Sequence, residues 1–296
     1  MKLPAHGRYP HSAIIHRPLY AWPNGARLAL VVVNNIEHFA YRAGLGSDVT
    51  GPSPVQNQRA YAWRDYGNRV GLWNLLEMFD ELGLPAAHNC NAAALDACPE
   101  IAPALLARGD ELIGHGRTNA ERQDTLWEED ERRLILESRD ALARHAGGRP
   151  PRGWLGPYIA QSPVTLDLLR EAGFTYVMDW PADDQPFWLN TRAGRILSIP
   201  YSVELNDSPA VVYRHHSGRE FAEMILDQFE EMLHQSQRRP LVMSIALHPF
   251  IAGQPHRLRP LRQALRHILA QRDRLWIARP GELADYIATL PEGTIP

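Results

Sequence analysis

The segment Arg27–Asn35 (RLALVVVNN) restricts the fold of this chain more than any other. Every residue from Leu28 to Val33 is apolar, so neither side of the run can face water. Continuous apolarity with β-branched residues predicts a strand covered on both faces, the mark of a parallel sheet wrapped by helices. Two asparagines and then Ile36-Glu37-His38 end it abruptly.

The rest of the chain repeats this grammar. Residues 1–26 are rich in Pro and His and read as an irregular arm; residues 27–296 read as one domain. Apolar spacing predicts helices over Asp65–Leu82, Ala102–Ala107, Thr125–His145, Pro163–Ala172, Phe221–Ser236, Leu258–Ala270 and Pro280–Thr289. Strands are expected in LPAAHNC and at Glu111–Gly114, Tyr176–Met178, Ile196–Ile199, Leu241–Leu247 and Leu275–Ala278. Strands alternating with helices imply an α/β chain with a parallel, closed or nearly closed barrel.

Bulk properties narrow the function. With 45% hydrophobic and 22% charged residues in 296, the chain is an ordinary globular one. A net charge of −3 argues against nucleic acid as a partner. No apolar run approaches a membrane span, and MKLPAHGRYPHSAIIHRP has no continuous apolar core of a secretory signal. A cytoplasmic protein is expected, with Cys90 and Cys98 as reduced thiols. Soluble cytoplasmic proteins are often symmetric, so a homo-oligomer is expected as well.

In parallel barrels chemistry sits where strands end. Five strand ends carry polar groups here: Glu37-His38; His115 to Asn119; Asp179 to Asp184; Glu204 to Asp207; and His248. Glu37 suits a general base or a metal ligand, and His248 a general acid for a departing amine. Each alone could be a solvated carboxylate or a buried structural histidine. Arg152, set among Pro and Gly in PRGWLGP, is a candidate fixed guanidinium, with a surface turn as the alternative. Trp154 and Trp180 are candidates for pocket walls or for core.

The order of GHGRTN, RGWLGP, DWPADDQP, PYSVELND and ALHPFIAGQP resembles the polysaccharide-deacetylase superfamily from about residue 27 to residue 288. The likeness is closest to the branch with metal-independent allantoinases, cyclic imide hydrolases and a cytosolic peptidoglycan deacetylase. It implies a distorted (β/α) barrel of about seven parallel strands. It also implies hydrolysis of a non-peptide C–N bond, with Glu37, His248 and Arg152 catalytic and Trp154, Asp184, Asp207 and Trp180 binding substrate. Where the family carries two Asp, only Glu37 is available, as base or ligand; where it carries His-x-x-x-His, this chain has His115 and Asn119. The resemblance therefore implies either an unusual divalent site at Glu37, His115 and Asn119, zinc being favoured and His38 a substitute ligand, or no metal at all. A small cyclic amide is the expected substrate. The alternatives are N-deacetylation of a sugar or peptidoglycan fragment and an inactive, ligand-binding barrel.

Overall fold

The structure is a computed structural model that describes residues 5–42 and 57–296; residues 1–4 of the expected arm lie outside the described residues. Among the described residues nine strands form one sheet: β1 (Leu28–Ile36), β2 (Ala87–Cys90), β3 (Glu111–Gly114), β4 (Gly153–Trp154), β5 (Tyr176–Val177), β6 (Phe187–Thr191), β7 (Gly194–Ser198), β8 (Leu241–Leu247) and β9 (Leu275–Ile277). Their order is β6-β7-β5-β4-β3-β2-β1-β8, with β9 also on β1. The path from β7 to β8 is seven strands, all parallel, as the resemblance implied. Only β6 runs antiparallel, in a hairpin with β7 that the helical spacing had not predicted.

The strand of the opening argument is the hub. All of β1 is buried. One edge pairs with β8 from Leu28–Leu241 to Asn34–Leu247. The other is shared, β9 taking Leu28–Leu30 and β2 taking Val33–Ile36. Between β7 and β8 no ladder closes the ring. That seam is spanned by loops: the Val242 N–H donates to the Asp184 carbonyl (2.8 Å) and the Ala246 N–H to the Leu205 carbonyl (2.9 Å).

Side chains alternate along each strand, and the two parities form separate cores. Leu28, Leu30 and Val32 pack outward with Leu72, Phe79 and Phe229 from the helices. Ala29, Val31 and Val33 pack inside the barrel with Ala87, Ile113, Leu155, Tyr176 and Leu197. The inward parity of the strands, followed to and just past their carboxyl ends, reaches Asn35, Glu37, His115, Tyr201 and His248. The fold thus puts these five at the carboxyl end of the barrel.

The arm closes the opposite end. Trp22, 1% exposed, donates its indole N–H to the Leu241 carbonyl (3.0 Å) and stacks near Trp276 and Tyr286. Arg17 forks onto Asp183 (2.8 and 2.6 Å), and Arg8 onto Asp167 (2.9 and 2.8 Å). The helix predicted to stop at Gly83 does so, with Gly83 left-handed at φ 57°. Its start differs from the sequence reading: it begins at Gln58 and passes through a π-helical turn at Gly67–Gly71. Cys90 and Cys98 are free thiols, and no described helix is long and apolar enough to cross a membrane.

Candidate active site

A cavity of about 350 Å³ opens over the carboxyl ends of the strands. Glu37, His115, Asn119, Tyr201 and His248 line it, with Phe39, Tyr158 and Phe250 on its walls. Glu37 is the centre. Its Oε1 lies 3.5 Å from His248 Nε2 and 3.6 Å from His115 Nε2, and it accepts a 2.7 Å hydrogen bond from Asn119 Nδ2. Each partner is held from behind. His115 Nδ1 donates to the Leu155 carbonyl (2.5 Å). Asp207 accepts from His248 Nδ1 at 2.7 Å and from the His248 backbone N–H at 2.9 Å.

These contacts set the charges. Burial alone would raise the Glu37 pKa, but the His248 charge, with His115 also close by, carries it down to about 2. Burial alone would lower that of His248, but Glu37 and Asp207 carry it up to about 10. At neutral pH the site therefore holds a carboxylate facing an imidazolium, a proton acceptor and a proton donor side by side. Burial holds Asp207 above the usual carboxylate range even beside His248.

Asparagines fix the frame. Asn35 donates to the Tyr201 hydroxyl (3.0 Å) and the Leu247 carbonyl (2.9 Å), and accepts from Asn89 (2.8 Å). Asn91 accepts from the His38 N–H (2.8 Å) and donates to the His115 carbonyl, tying two catalytic loops together. In the wall, Tyr158 and Ile159 both have left-handed backbones (φ 61° and 56°). Two consecutive non-glycine residues in that region store strain, which proteins concentrate at working sites. Residue type gives no hint of this. The Asn-rich strand ends, Asn34-Asn35 and Asn89-Cys90-Asn91, were the available signal for the frame.

Glu37, His115, Asn119 and His248 come together as the sequence suggested; the five other candidates do not line the cavity. Arg152 precedes β4, so it lies at the far end of the barrel, where it pairs with Asp285 (3.0 and 2.5 Å) and stays half exposed. Trp154 has the outward parity of β4; it is fully buried against Phe174 and donates to Gln123. Trp180 packs against His6 and Tyr9 of the arm and donates to Gln161. Asp184 lines a second cavity of about 330 Å³ on the seam, beside Asp183 and Glu204. Asp207, 1% exposed, meets the site through His248 rather than through a ligand.

The expected divalent ion does not fit this donor set. Zinc sites take three or four lone-pair donors. Asn119 instead presents an N–H to Glu37, and turning its amide over would break that bond. His248 Nε2 faces Glu37 on a ring that is a cation at neutral pH. His38 lies beside Asp65, outside the cavity lining. Among the described residues no group of three His, Cys, Asp or Glu is arranged to hold a metal.

Residues 55–177 match the polysaccharide deacetylase family. The peptidoglycan deacetylase of Helicobacter pylori is 23% identical over 86% of this chain and 95% of its own. Among solved structures, PuuE allantoinase superposes with a TM-score of 0.86 at 29% identity, covering 96% of this chain and 99% of that one. A probable polysaccharide deacetylase from Pseudomonas aeruginosa PAO1 gives 0.85 at 28% identity, over 97% and 100%.

Proposed function

We propose that this chain, a hydrolase of non-peptide carbon–nitrogen bonds similar to proteins of the polysaccharide deacetylase superfamily, acts on a small cyclic amide, an imide or a ureide. One observation carries the reading: the Glu37–His248 pair lines a cavity of about 350 Å³, at the small end of the range of ligand pockets. The two tryptophans that would have been platforms for a sugar chain are elsewhere. The structural likeness to PuuE allantoinase supports it.

The reaction follows from the charges. Glu37 takes a proton from water as the oxygen attacks the ring carbonyl, giving a tetrahedral oxyanion. His248 delivers its proton to the ring nitrogen, the C–N bond breaks, and the ring opens to a carboxylic acid and an amide or urea nitrogen; the acid gives its proton to water, and the proton held by Glu37 returns to His248. Mutual attraction drives the two pKa values apart, to about 2 and about 10. A substrate between them weakens that attraction. Each value then moves back towards neutrality, where proton transfer is most efficient. Asp207 holds the imidazole with Nε2 facing the reaction. Catalysis in this reading needs no divalent ion, and the protein works as a cytoplasmic homo-oligomer.

The names of two relatives favour a second reading, N-deacetylation of a sugar or peptidoglycan fragment. Assaying succinimide, dihydrouracil, hydantoin, allantoin and N-acetylglucosamine oligomers side by side, with and without chelator, separates the two. Ring opening that survives chelation is expected. Turnover of the oligomers alone would transfer the function to the second reading, and turnover of none would remove both.

A further inference from the structure

Between the helices Gln58–Tyr66 and Leu72–Leu82 lies a π-helical turn, Gly67–Gly71. Such turns are rare and are frequent at functional sites. None of its residues lines the main cavity, yet it touches both sides of it. On one side Asn68, 6% exposed, donates its Nδ2–H to the Glu37 main-chain carbonyl at 2.9 Å. On the other side the backbone of Gly67 and Gly71 packs directly on the turn Pro249–Ala252 that follows His248. A Cβ on Gly67 would stand 2.9 Å from the Phe250 nitrogen, and one on Gly71 would overlap the Pro249 carbonyl. Gly253 meets Gly71 in the same way. Three glycines thus allow backbone to meet backbone, with no side chain to absorb a shift.

We propose that this turn is the spacer that fixes Glu37 against His248, and that Asn68 is a positioning residue for the reaction. The inference rests on the proposed roles of Glu37 and His248. Glu37 and His248 sit on loops after different strands, and their side chains make no hydrogen bond closer than the 3.5 Å approach. Asn68 and Asn91 hold the carbonyl and the N–H of the peptide joining Glu37 to His38, and the Asn119 N–H holds the carbonyl of the next peptide. The glycine contacts carry the His248 turn on the same rigid piece. The turn thereby sets a separation that neither loop sets alone, and a shift of about 1 Å at a reacting pair costs about 100-fold in rate.

The test compares Asn68→Ala and Asn68→Asp with Asn74→Ala. Asn74 donates to the Gly253 carbonyl (3.0 Å), so it braces the same turn without touching Glu37. Two readouts are taken: kcat and KM on whichever substrate turns over, and the titration of the His248 ring by NMR in the ligand-free protein. Both Asn68 variants are expected to lose about tenfold or more in kcat with KM little changed. Their His248 ring should give up its proton at lower pH than in the parent, because Glu37 no longer faces it squarely. Asn74→Ala should lower the melting temperature and leave His248 where it was. Asn68 variants with the parental His248 titration, differing from Asn74→Ala in no respect but stability, would overturn the proposal. Asn68→Asp is nearly isosteric and keeps the test alive if Asn68→Ala does not fold. The NMR arm needs no substrate, so an error in the proposed substrate cannot be mistaken for an error here.

Discussion

Asp207 grips His248 twice, one carboxylate oxygen on the ring Nδ1 and the other on the backbone N–H of the same residue. The double contact sets both the direction of the imidazole and its charge. In Asp207→Asn the amide oxygen can still accept the backbone N–H, so folding should survive. The amide nitrogen then faces Nδ1 and cannot stabilise a charged ring. The expected result is a fall in kcat/KM of about 10- to 100-fold. The alkaline limb, set in the parent by loss of the His248 proton near 10, should move to lower pH. The stability effect has the matching sign. A raised histidine contributes fully below its ordinary value of 6.5, and the contribution is lost as pH rises through about 10. A pH–rate profile with an unmoved alkaline limb would remove Asp207 from this role.

Arg152 gives a prediction and a lesson. The resemblance implies that it is catalytic, yet it stands at the opposite end of the barrel from Glu37. Arg152→Ala should leave kcat/KM within about twofold and cost at most about 1 kcal/mol, the range for exposed ion pairs. A loss of 100-fold or more would show that Arg152 acts on the site after all.

The lesson is one of strand polarity and parity. Glu37, His115 and His248 were legible because each follows an apolar run and continues its inward parity. The run in β1 is long enough to count along, from Ala29 to Glu37 by twos. Around β4 the strand is two residues long and embedded in Pro and Gly, so neither its direction nor its parity could be read. Counting from Leu155, which faces inward, puts Trp154 and Arg152 outward at once. Trp180 and Asp184 were lost for another reason: the arm draws their segment away through Tyr9 and Arg17, contacts between residues more than 160 apart in sequence.

Asn119 is where the metal question turns. His115 Nε2 and Asn119 Oδ1 are buried without hydrogen-bond partners, so the neighbourhood of Glu37 lacks one good donor rather than space. Asn119→His would supply an imidazole lone pair in place of the amide N–H that Glu37 now accepts. The variant should take up about one zinc per chain by elemental analysis and lose it to chelator, while the parent stays below stoichiometry. Stoichiometric zinc in the parent would show that Asn119 turns its oxygen inward and would return the metal to the mechanism.

Asp179 gives the stability prediction with the clearest sign. It is buried; Oδ1 accepts the Gly156 N–H at 2.6 Å, while Oδ2 has no partner. Burial raises its pKa from 3.8 to about 7, because one hydrogen bond does not replace the lost hydration of a charge. The folded protein therefore holds this proton more tightly than the unfolded chain does. Stability falls as pH rises from about 3.8 towards 7 and is flat above, as far as this group is concerned. Asp179→Asn keeps an acceptor for Gly156 and removes the charge. Its advantage over the parent should be small at pH 4, grow through pH 6, and level off above pH 7 at about 1–4 kcal/mol. Thermal unfolding across that range measures it. Parallel melting curves would mean that Asp179 is ionised throughout, with a cation or a solvent path at Oδ2 that stabilises the charge.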